Sequence, residues 1–579
     1  MGAQAADLLA RVEITLSVHT RSLNRFPSVL QAAVLVASPL TALAGATVPG
    51  AGTILQDLKP IAPPVPAATA PQLTIEQRGI ADVAPTAAFS VKIINLSGNT
   101  AFNTPTLQAL LADAEDHELT LSELNARVSR ITDFYHAHGY PLARALIPAQ
   151  TIRDGVIEVQ IIEARFGQIQ LDNHSRVRSV LLQSTLAPLK RGQAIEQSRL
   201  EHVLLLLADI PGVRSSSTLQ PGANSGTSDL LAQAAPVPGV AGIVTLDNYG
   251  NRYTGRARAG GEISFDNLLH HGDVLDASGL TSGRDMTYGR GSYDVLLNGR
   301  GTHLGGAYSA LGYRLGSSLG PLEAHGSARV GSLWVRQPLR RTRDVNLYAH
   351  LQFDRKDLRD HIDVAAIRTD RNLDNGTASL AGDWRDRLLG GGVTSGSVQW
   401  VVGKVGFDDA TAQRADAASV RTQGRFSQWN ATLARLQFLN ASNALYLTVS
   451  RQWANGNLDP SQKLVAGGRY TVRAYDMSAA SGDTGSQASA EVRHDLTSRG
   501  HGQWQMTAFL DAEHITINKI PWTREKNDAT LRGAGVGLNW TGASRWSVRA
   551  SLAARLGAAS SLVANSTRVR GWVELSRSF

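Results

Sequence analysis

From residue 240 to its C-terminus the chain alternates apolar and polar residues with a period of two, segment after segment. In Gly255–Asp266, Ala257, Ala259, Ile263 and Phe265 fall on one face of an extended chain, and Arg256, Arg258, Glu262, Ser264 and Asp266 fall on the other. Near the end, Val569, Val573, Leu575 and Phe579 oppose Arg570, Glu574, Ser576 and Ser578. Successive side chains of a strand point to opposite faces, so this pattern is that of strands with one apolar face. Sixteen such segments are expected, near 240–249, 255–268, 272–282, 285–298, 301–316, 326–339, 343–359, 369–388, 392–407, 418–438, 443–455, 485–496, 502–517, 528–540, 545–557 and 567–579. A soluble sandwich would alternate too; spacing and connection lengths decide. Short turns at Asn298–Gly301, Leu389–Gly391, Leu439–Asn443 and Thr541–Ser544 contrast with longer loops at Ser317–His325, Asp360–Thr369, Asp408–Ala417, Asn518–Asn527 and Asn455–Thr484. Short turns on one rim and long loops on the other are the signature of a transmembrane β-barrel. Three of the four Pro beyond residue 240 fall in the long loops, since proline cannot donate to a ladder. All ten Trp lie in this region, and Trp540 and Trp546 flank one short turn, where an aromatic girdle is expected.

Composition removes several function classes. The 579 residues include no Cys, so disulfides, thiolate metal sites, Fe–S clusters and a Cys nucleophile are excluded. The net charge of +8 is spread along the chain rather than gathered in a patch, so nucleic acid is not an expected partner. No run of about 20 apolar residues follows the N-terminal region, which excludes a helical membrane protein but not a barrel.

The first 44 residues read as a signal peptide. Arg21 and Arg25 precede an apolar run from Val29 to Leu43, and Ala42-Leu43-Ala44 offers an A-x-A cleavage site. Pro39 interrupts the run, which argues against a membrane helix; a short buried helix is the alternative. The mature chain is expected to begin near Gly45. Within residues 45–58, Ile54, Leu55 and Leu58 can share one helical face; a disordered mature N-terminus is the other reading. Residues 59–88 form a linker, in which Pro60, Pro63, Pro64, Pro66 and Pro71 favour an extended, semi-rigid chain.

Two small α+β modules follow, at 89–165 and 166–239. The first is expected to run strand (Phe89 to Leu96), two helices, then strands at Leu142–Gln150 and Val156–Ala164 joined by a turn at Asp154-Gly155. Its second helix carries a capping box, Thr120 with Glu123, and the stripe Leu124, Val128, Ile131 and Tyr135. The second module repeats the order, with a strand at Gln168–Asp172, a helix from Arg176, and a helix bearing Leu200, Leu204 and Leu207 that stops at Asp209-Ile210-Pro211-Gly212. Such modules with open sheet edges suit peptide capture by strand addition.

No catalytic, cofactor or metal constellation emerges, and the chain is not expected to be an enzyme. Gly316-Ser317-Ser318-Leu319-Gly320 resembles a nucleophile elbow but lies in a loop rather than between strand and helix. His270-His271 sits at a turn, where a solvated pair is expected. The long loop Asn455–Thr484 stands apart. It contains Leu464-Val465-Ala466-Gly467-Gly468-Arg469-Tyr470-Thr471-Val472-Arg473-Ala474-Tyr475, apolar enough to fold back into the lumen. An Arg there needs an acidic partner on the wall. In 502–517 the apolar face is Trp504, Met506, Ala508, Leu510 and Ala512, so Phe509, Asp511 and Glu513 face inward and Asp511 is available.

Taken in order, these features resemble the outer-membrane translocators of two-partner secretion, the hemolysin secretion/activation family, related to the barrel-assembly protein BamA. The family's V-R-G-Y loop motif stands here as Val472-Arg473-Ala474-Tyr475, with Ala for Gly. Its F-x-D-x-G strand motif stands as Phe509-Leu510-Asp511-Ala512-Glu513, with Glu for the last Gly, so that Glu513 competes with Asp511 for Arg473. Gly482-Asp483 follows the loop motif, and the terminal Phe579 matches the outer-membrane assembly signal, although Arg577 departs from the residue type usual two positions earlier. The resemblance implies a mostly-β fold: a 16-stranded transmembrane β-barrel, residues 240–579, preceded by two α+β POTRA domains in the periplasm of a Gram-negative bacterium. It implies a helix within 45–58 that plugs the pore at rest. It implies a secreted exoprotein, bound through its N-terminal secretion domain and passed outward without nucleotide. It also implies contact with outer-membrane lipid, and with the barrel-assembly machinery during biogenesis. A BamA-like assembly factor is the alternative; a porin would need no periplasmic modules, and an outer-membrane lipase would need a catalytic constellation.

Overall fold

The computed structural model of the protein describes residues 48–58, 72–75, 87–496, 502–558, 560–563 and 567–579. The expected signal peptide, residues 1–44, and most of the Pro-rich linker lie outside the described residues. A seven-residue helix, α1 (Ala51–Asp57), buries Ala51, Gly52, Ile54, Leu55 and Asp57. Within the linker stands a strand, β1 (Gln72–Ile75).

The first module contains β2 (Phe89–Val91), β3 (Ile93–Ser97), α2 (Thr104–Gln108), β4 (His117–Leu119), α3 (Leu121–Ala137), β5 (Arg144–Leu146) and β6 (Val156–Ile162). The strand expected over 89–96 breaks at Lys92, whose N–H leaves the β2–β4 pair and donates to the Gly155 carbonyl at 2.7 Å. The chain then joins the sheet β3–β6–β5. Helix α3 begins at a complete capping box: the Glu123 carboxylate accepts the Thr120 N–H at 2.8 Å, and the Thr120 hydroxyl accepts the Glu123 N–H at 3.3 Å. Its stripe Leu124, Val128, Ile131 and Tyr135 is fully buried against Ile94, Ile157 and Val159.

The buried Glu163 ties this module together. It accepts the N–H groups of Thr100 at 2.5 Å and Ala101 at 2.7 Å and the Tyr135 hydroxyl at 2.9 Å. Burial alone would raise its pKa, but the hydrogen bonds from Thr100, Ala101 and Tyr135 together hold it below the usual Glu range. A depressed carboxylate contributes stability above its unfolded pKa, and that contribution is lost as pH falls through the folded value. Glu163→Gln is therefore expected to speed hydrogen exchange across α3 and β6 at neutral pH and to flatten the module's loss of protection below about pH 4. An unchanged acid dependence in the variant would refute this role.

The second module contains β7 (Arg165–Asn173), α4 (Ser179–Leu186), α5 (Gln197–Ala208), β8 (Val213–Pro221) and β9 (Thr227–Pro236). Leu182, Leu186, Leu200, Val203, Leu204 and Leu207 of the two helices pack on Phe166, Leu219, Leu230 and Ala232 of the sheet. The sheet order is β1–β8–β9–β7. Its β8 edge is not open: β1, from the linker, pairs with it in parallel from Gln72↔Ser216 to Ile75↔Leu219.

The remainder forms β10 (Val240–Asp247), β11 (Arg258–Asp266), β12 (Val274–Thr281), β13 (Met286–Leu296), β14 (His303–Arg314), β15 (Ala324–Arg341), β16 (Val345–Ile362), β17 (Ile367–Asp386), β18 (Gly392–Phe407), β19 (Gly424–Phe438) and β20 (Asn443–Ala454). A small hairpin, β21 (Leu464–Ala466) and β22 (Ala480–Gly482), interrupts the series. The series then resumes with β23 (Thr484–Leu496), β24 (Gln503–Thr516), β25 (Asp528–Thr541), β26 (Trp546–Arg555) and β27 (Val569–Ser578). Sixteen of these close into an antiparallel barrel in which β27 pairs back onto β10. Closure gives each strand of the barrel a partner on both sides, as a membrane-spanning sheet requires.

The outer face is apolar: Leu333, Leu351, Leu433, Leu510 and Val536 are each more than half exposed, as lipid-facing side chains are. Trp400, Trp429 and Trp453 are register partners across β18–β20 toward the long-loop rim, and Trp504 and Trp540 pair near the short-turn rim. Two expected loops prove structured. Strands β16 and β17, of 18 and 20 residues, outrun the membrane band and reduce Asp360–Thr369 to a turn at 363–366. Within Asp408–Ala417 lies α6 (Ala410–Ala417), capped by the Asp409 carboxylate, which accepts the Thr411 and Ala412 N–H groups at 3.0 Å. Pro338, the one barrel proline outside the loops, sits at a register shift before Arg340, where its missing N–H is tolerated.

Candidate functional site: a loop folded into the barrel lumen

The segment between β20 and β23 enters the lumen as the β21–β22 hairpin. Gly467 and Gly468 turn it, at φ +86° and +118°; a Cβ on Gly467 would lie 2.8 Å from the Asp476 carbonyl. The turn presents Val472-Arg473-Ala474-Tyr475, of which Val472, Ala474 and Tyr475 are at most 1% exposed. Arg473 makes a two-pronged pair with Asp511, Nε to Oδ2 at 2.9 Å and Nη2 to Oδ1 at 2.8 Å, and its own N–H donates to Asp511 Oδ2 at 3.1 Å. Its Nη1 reaches Glu491 Oε2 at 2.8 Å, and the guanidinium lies 3.3 Å over the Phe509 ring. The Trp572 indole N–H donates to the Arg473 carbonyl at 2.7 Å.

Glu513, also inward-facing on β24, is buried but makes no ion pair among the described residues. It stands two residues along the strand from Asp511, one full pleat repeat away from the guanidinium. Glu491 supplies the second carboxylate instead. Sequence reasoning missed it: alternation can give its inward direction, but its place beside Phe509 is fixed only by the cross-strand register. Trp572 was missed because tryptophan in a barrel strand reads first as a girdle residue.

Ala474 stands where the resembling family carries Gly. Its methyl group rests against Gly533 on β25, where any Cβ would lie 2.6 Å from the Ala474 Cβ. Asp483, after the loop, pairs with Lys463 at 3.0 Å and accepts the Leu458 and Lys519 N–H groups. Phe579 continues the closing ladder: its N–H donates to the Gly242 carbonyl at 3.0 Å, and its ring covers Gly242 from the lipid side.

Helix α1 lies in the same lumen, packed on β14–β16 and the inserted hairpin. Its Ala51 N–H donates to Asp360 at 2.6 Å, Gln56 donates to the Ser461 carbonyl, and Asp57 accepts the Ser478 hydroxyl. Asp360 is held by Arg371, which also pairs with Asp459 at 2.9 Å. At the opposite rim the short turns dock on the second module. Arg341 grips Asp209 through Nε and Nη2 at 2.7 and 2.8 Å, Arg343 meets Glu201 at 3.2 Å, and the His270 carbonyl accepts the Arg178 N–H at 3.1 Å. Gly299 lies so close to α4 that a Cβ would fall 2.2 Å from the Ser184 backbone. The Gly316–Gly320 stretch runs into a short 3₁₀ helix, Ser317–Leu322, in the β14–β15 loop.

A ShlB-type POTRA domain matches residues 89–164. Over 481 residues the chain is 25% identical to the heme/hemopexin transporter protein HuxB of Haemophilus influenzae, covering 82% of this chain and 84% of that protein. Its fold is similar to CdiB from Escherichia coli, with a TM-score of 0.67 and 20% identity over 91% of this chain and 95% of that one. It is similar at greater distance to BamA from Haemophilus ducreyi lacking POTRA domains 1–3, with a TM-score of 0.50 and 13% identity over 85% of this chain and 100% of that one. The haemolysin secretion/activation protein family ShlB/FhaC/HecB matches residues 226–540, from β9 to β25 and more than half of the chain, so the protein belongs to that family and is an outer-membrane transporter of two-partner secretion.

Proposed function

We propose that the periplasmic modules bind an unfolded exoprotein through its N-terminal secretion domain and hand it to the barrel, which releases it at the cell surface. The observation that carries this reading is the docking of the second module on the short-turn rim through Arg341 and Asp209, which holds a captured segment beside the pore mouth. Strand addition supplies main-chain hydrogen bonds without demanding one cargo sequence. In the first module β3 is an edge strand and leaves Ile93 half exposed, ready for such pairing. In the second, a cargo strand at β8 must displace β1. Helix α1 closes the lumen at rest and leaves during transport. Folding of the cargo outside supplies the drive. Phe579, at the end of the closing strand, is the signal read by the barrel-assembly machinery, and the apolar outer face is the lipid contact.

Deleting residues 89–236 is expected to abolish secretion while leaving a heat-modifiable barrel in the outer membrane. Continued secretion by the deletion variant would refute the capture role. Affinity capture with the full-length protein is expected to recover one large secreted partner; recovery of many barrel precursors instead would identify an assembly factor.

A further inference from the structure

The seam where the last strand meets the first is the shortest joint around the first strand. Its ladder runs from Ile243↔Ser578 to Asp247↔Glu574, five register pairs, against eight between β10 and β11 and nine between β26 and β27. Beyond Asp247 the backbone adds one last bond, from the Asn248 N–H to the Val573 carbonyl at 3.2 Å, and then the ladder stops. The Asn248 side chain substitutes for one more step, accepting the Val573 N–H at 2.9 Å and donating to the Gly571 carbonyl at 3.1 Å. The outer end of β27, from Val569 to Trp572, is therefore paired backbone to backbone with β26 alone.

We propose that the lumenal loop, through Asp476, is the clamp that holds this outer end of the seam shut. Asp476 Oδ1 lies 2.8 Å from Arg256 Nη1, in the β10–β11 loop, and 2.7 Å from Arg570 Nη2, on β27. One buried carboxylate thus bridges the two sides of the joint, and without it two guanidinium groups face each other across the seam. Neighbouring groups repeat the arrangement. The Asn251 amide donates to the Met477 carbonyl at 3.3 Å, Met477 packs with Tyr249 and Trp572, and the rings of Tyr249 and Trp572 meet edge to face at 5.8 Å. The next residue, Ser478, is the one that bonds Asp57 of α1. The helix in the lumen bears on the clamp that closes the wall, so its departure loosens the seam.

Hydrogen exchange of the full-length protein in lipid nanodiscs tests this without any cargo, so its outcome is independent of the secretion reading. Asp476→Ala should accelerate exchange of the 569–573 amides by about tenfold or more while leaving the amides around Asp511 on β24 unchanged. Asp476→Asn, which keeps the shape and removes the charge, should give a smaller acceleration at the same amides and serves where the alanine variant fails to insert. Adding Arg570→Ala should shrink the effect of Asp476→Ala, because the opposed cations are then gone. Deleting residues 51–57 should accelerate the same amides more weakly. Unchanged exchange at 569–573 in both Asp476 variants would overturn the proposal. So would equal acceleration on β24, which would mean that the whole loop had been released rather than a seam clamp opened.

Discussion

Replacing Arg473 with alanine is expected to abolish secretion while the barrel still inserts and still shifts on heating. The guanidinium is buried, donates two bonds to Asp511 and one to Glu491, and rests on Phe509. Removing one partner of such a buried arrangement typically costs about 3–5 kcal/mol, because the carboxylates left behind are desolvated and unpaired. The loop keeps its ties through Asp476, Asp459 and Trp572, but the wall is held by a closed ladder of sixteen strands, so the loss falls on the loop around residues 472–475. Asp511→Ala should be nearly as damaging. Glu491→Ala should be milder, since the two-pronged bond to Asp511 survives. Arg473→Lys should rescue only in part, because an ammonium cannot reproduce the planar fork. Double-mutant cycles on secretion should show strong coupling of Arg473 with Asp511, weaker coupling with Glu491, and near additivity with Glu513. Strong coupling to Glu513 would mean that the working loop adopts a different register on the wall.

Deleting residues 51–57 should raise single-channel conductance in planar bilayers severalfold without stopping secretion. The helix is about 10 Å long, five of its seven residues are buried, and its polar ties run to Asp360, Ser461 and Ser478. A seven-residue helix has no stability of its own in water, so leaving the lumen and unfolding are one event. Asp360→Ala should reproduce part of the effect, since it frees the Ala51 N–H and removes one of the two carboxylates on Arg371. Conductance equal to that of the full chain in both variants would show that α1 does not close the pore.

Period-two alternation reports which face each residue of a strand takes, so the sixteen barrel strands and the inward set Phe509, Asp511 and Glu513 were open to sequence reasoning. Alternation says nothing about where the membrane stops. The expected loop at Asp360–Thr369 is therefore strand in the structure, because Arg355, Asp357 and Arg359 continue the zigzag above the lipid. Height along a strand is equally invisible without cross-strand register, which is why Asp511 and Glu513 remained rivals until β23 was placed beside β24. The pairing of β1 with β8 was hidden for another reason: four residues in a proline-rich stretch carry too little pattern, and their strand identity comes from the edge they meet.

That short parallel strand has a mechanical consequence. Fourteen residues separate Asp57 from Gln72. At full extension they reach about 50 Å. While β1 stays on β8, a helix expelled from the lumen travels no further than this leash allows, and its return is an intramolecular event. Effective concentrations for short tethers are on the order of millimolar. With α1 as the proposed plug, such a pore is expected to reclose by itself once its contents have passed, and the lifetime of the open channel is then set by the length of the cargo.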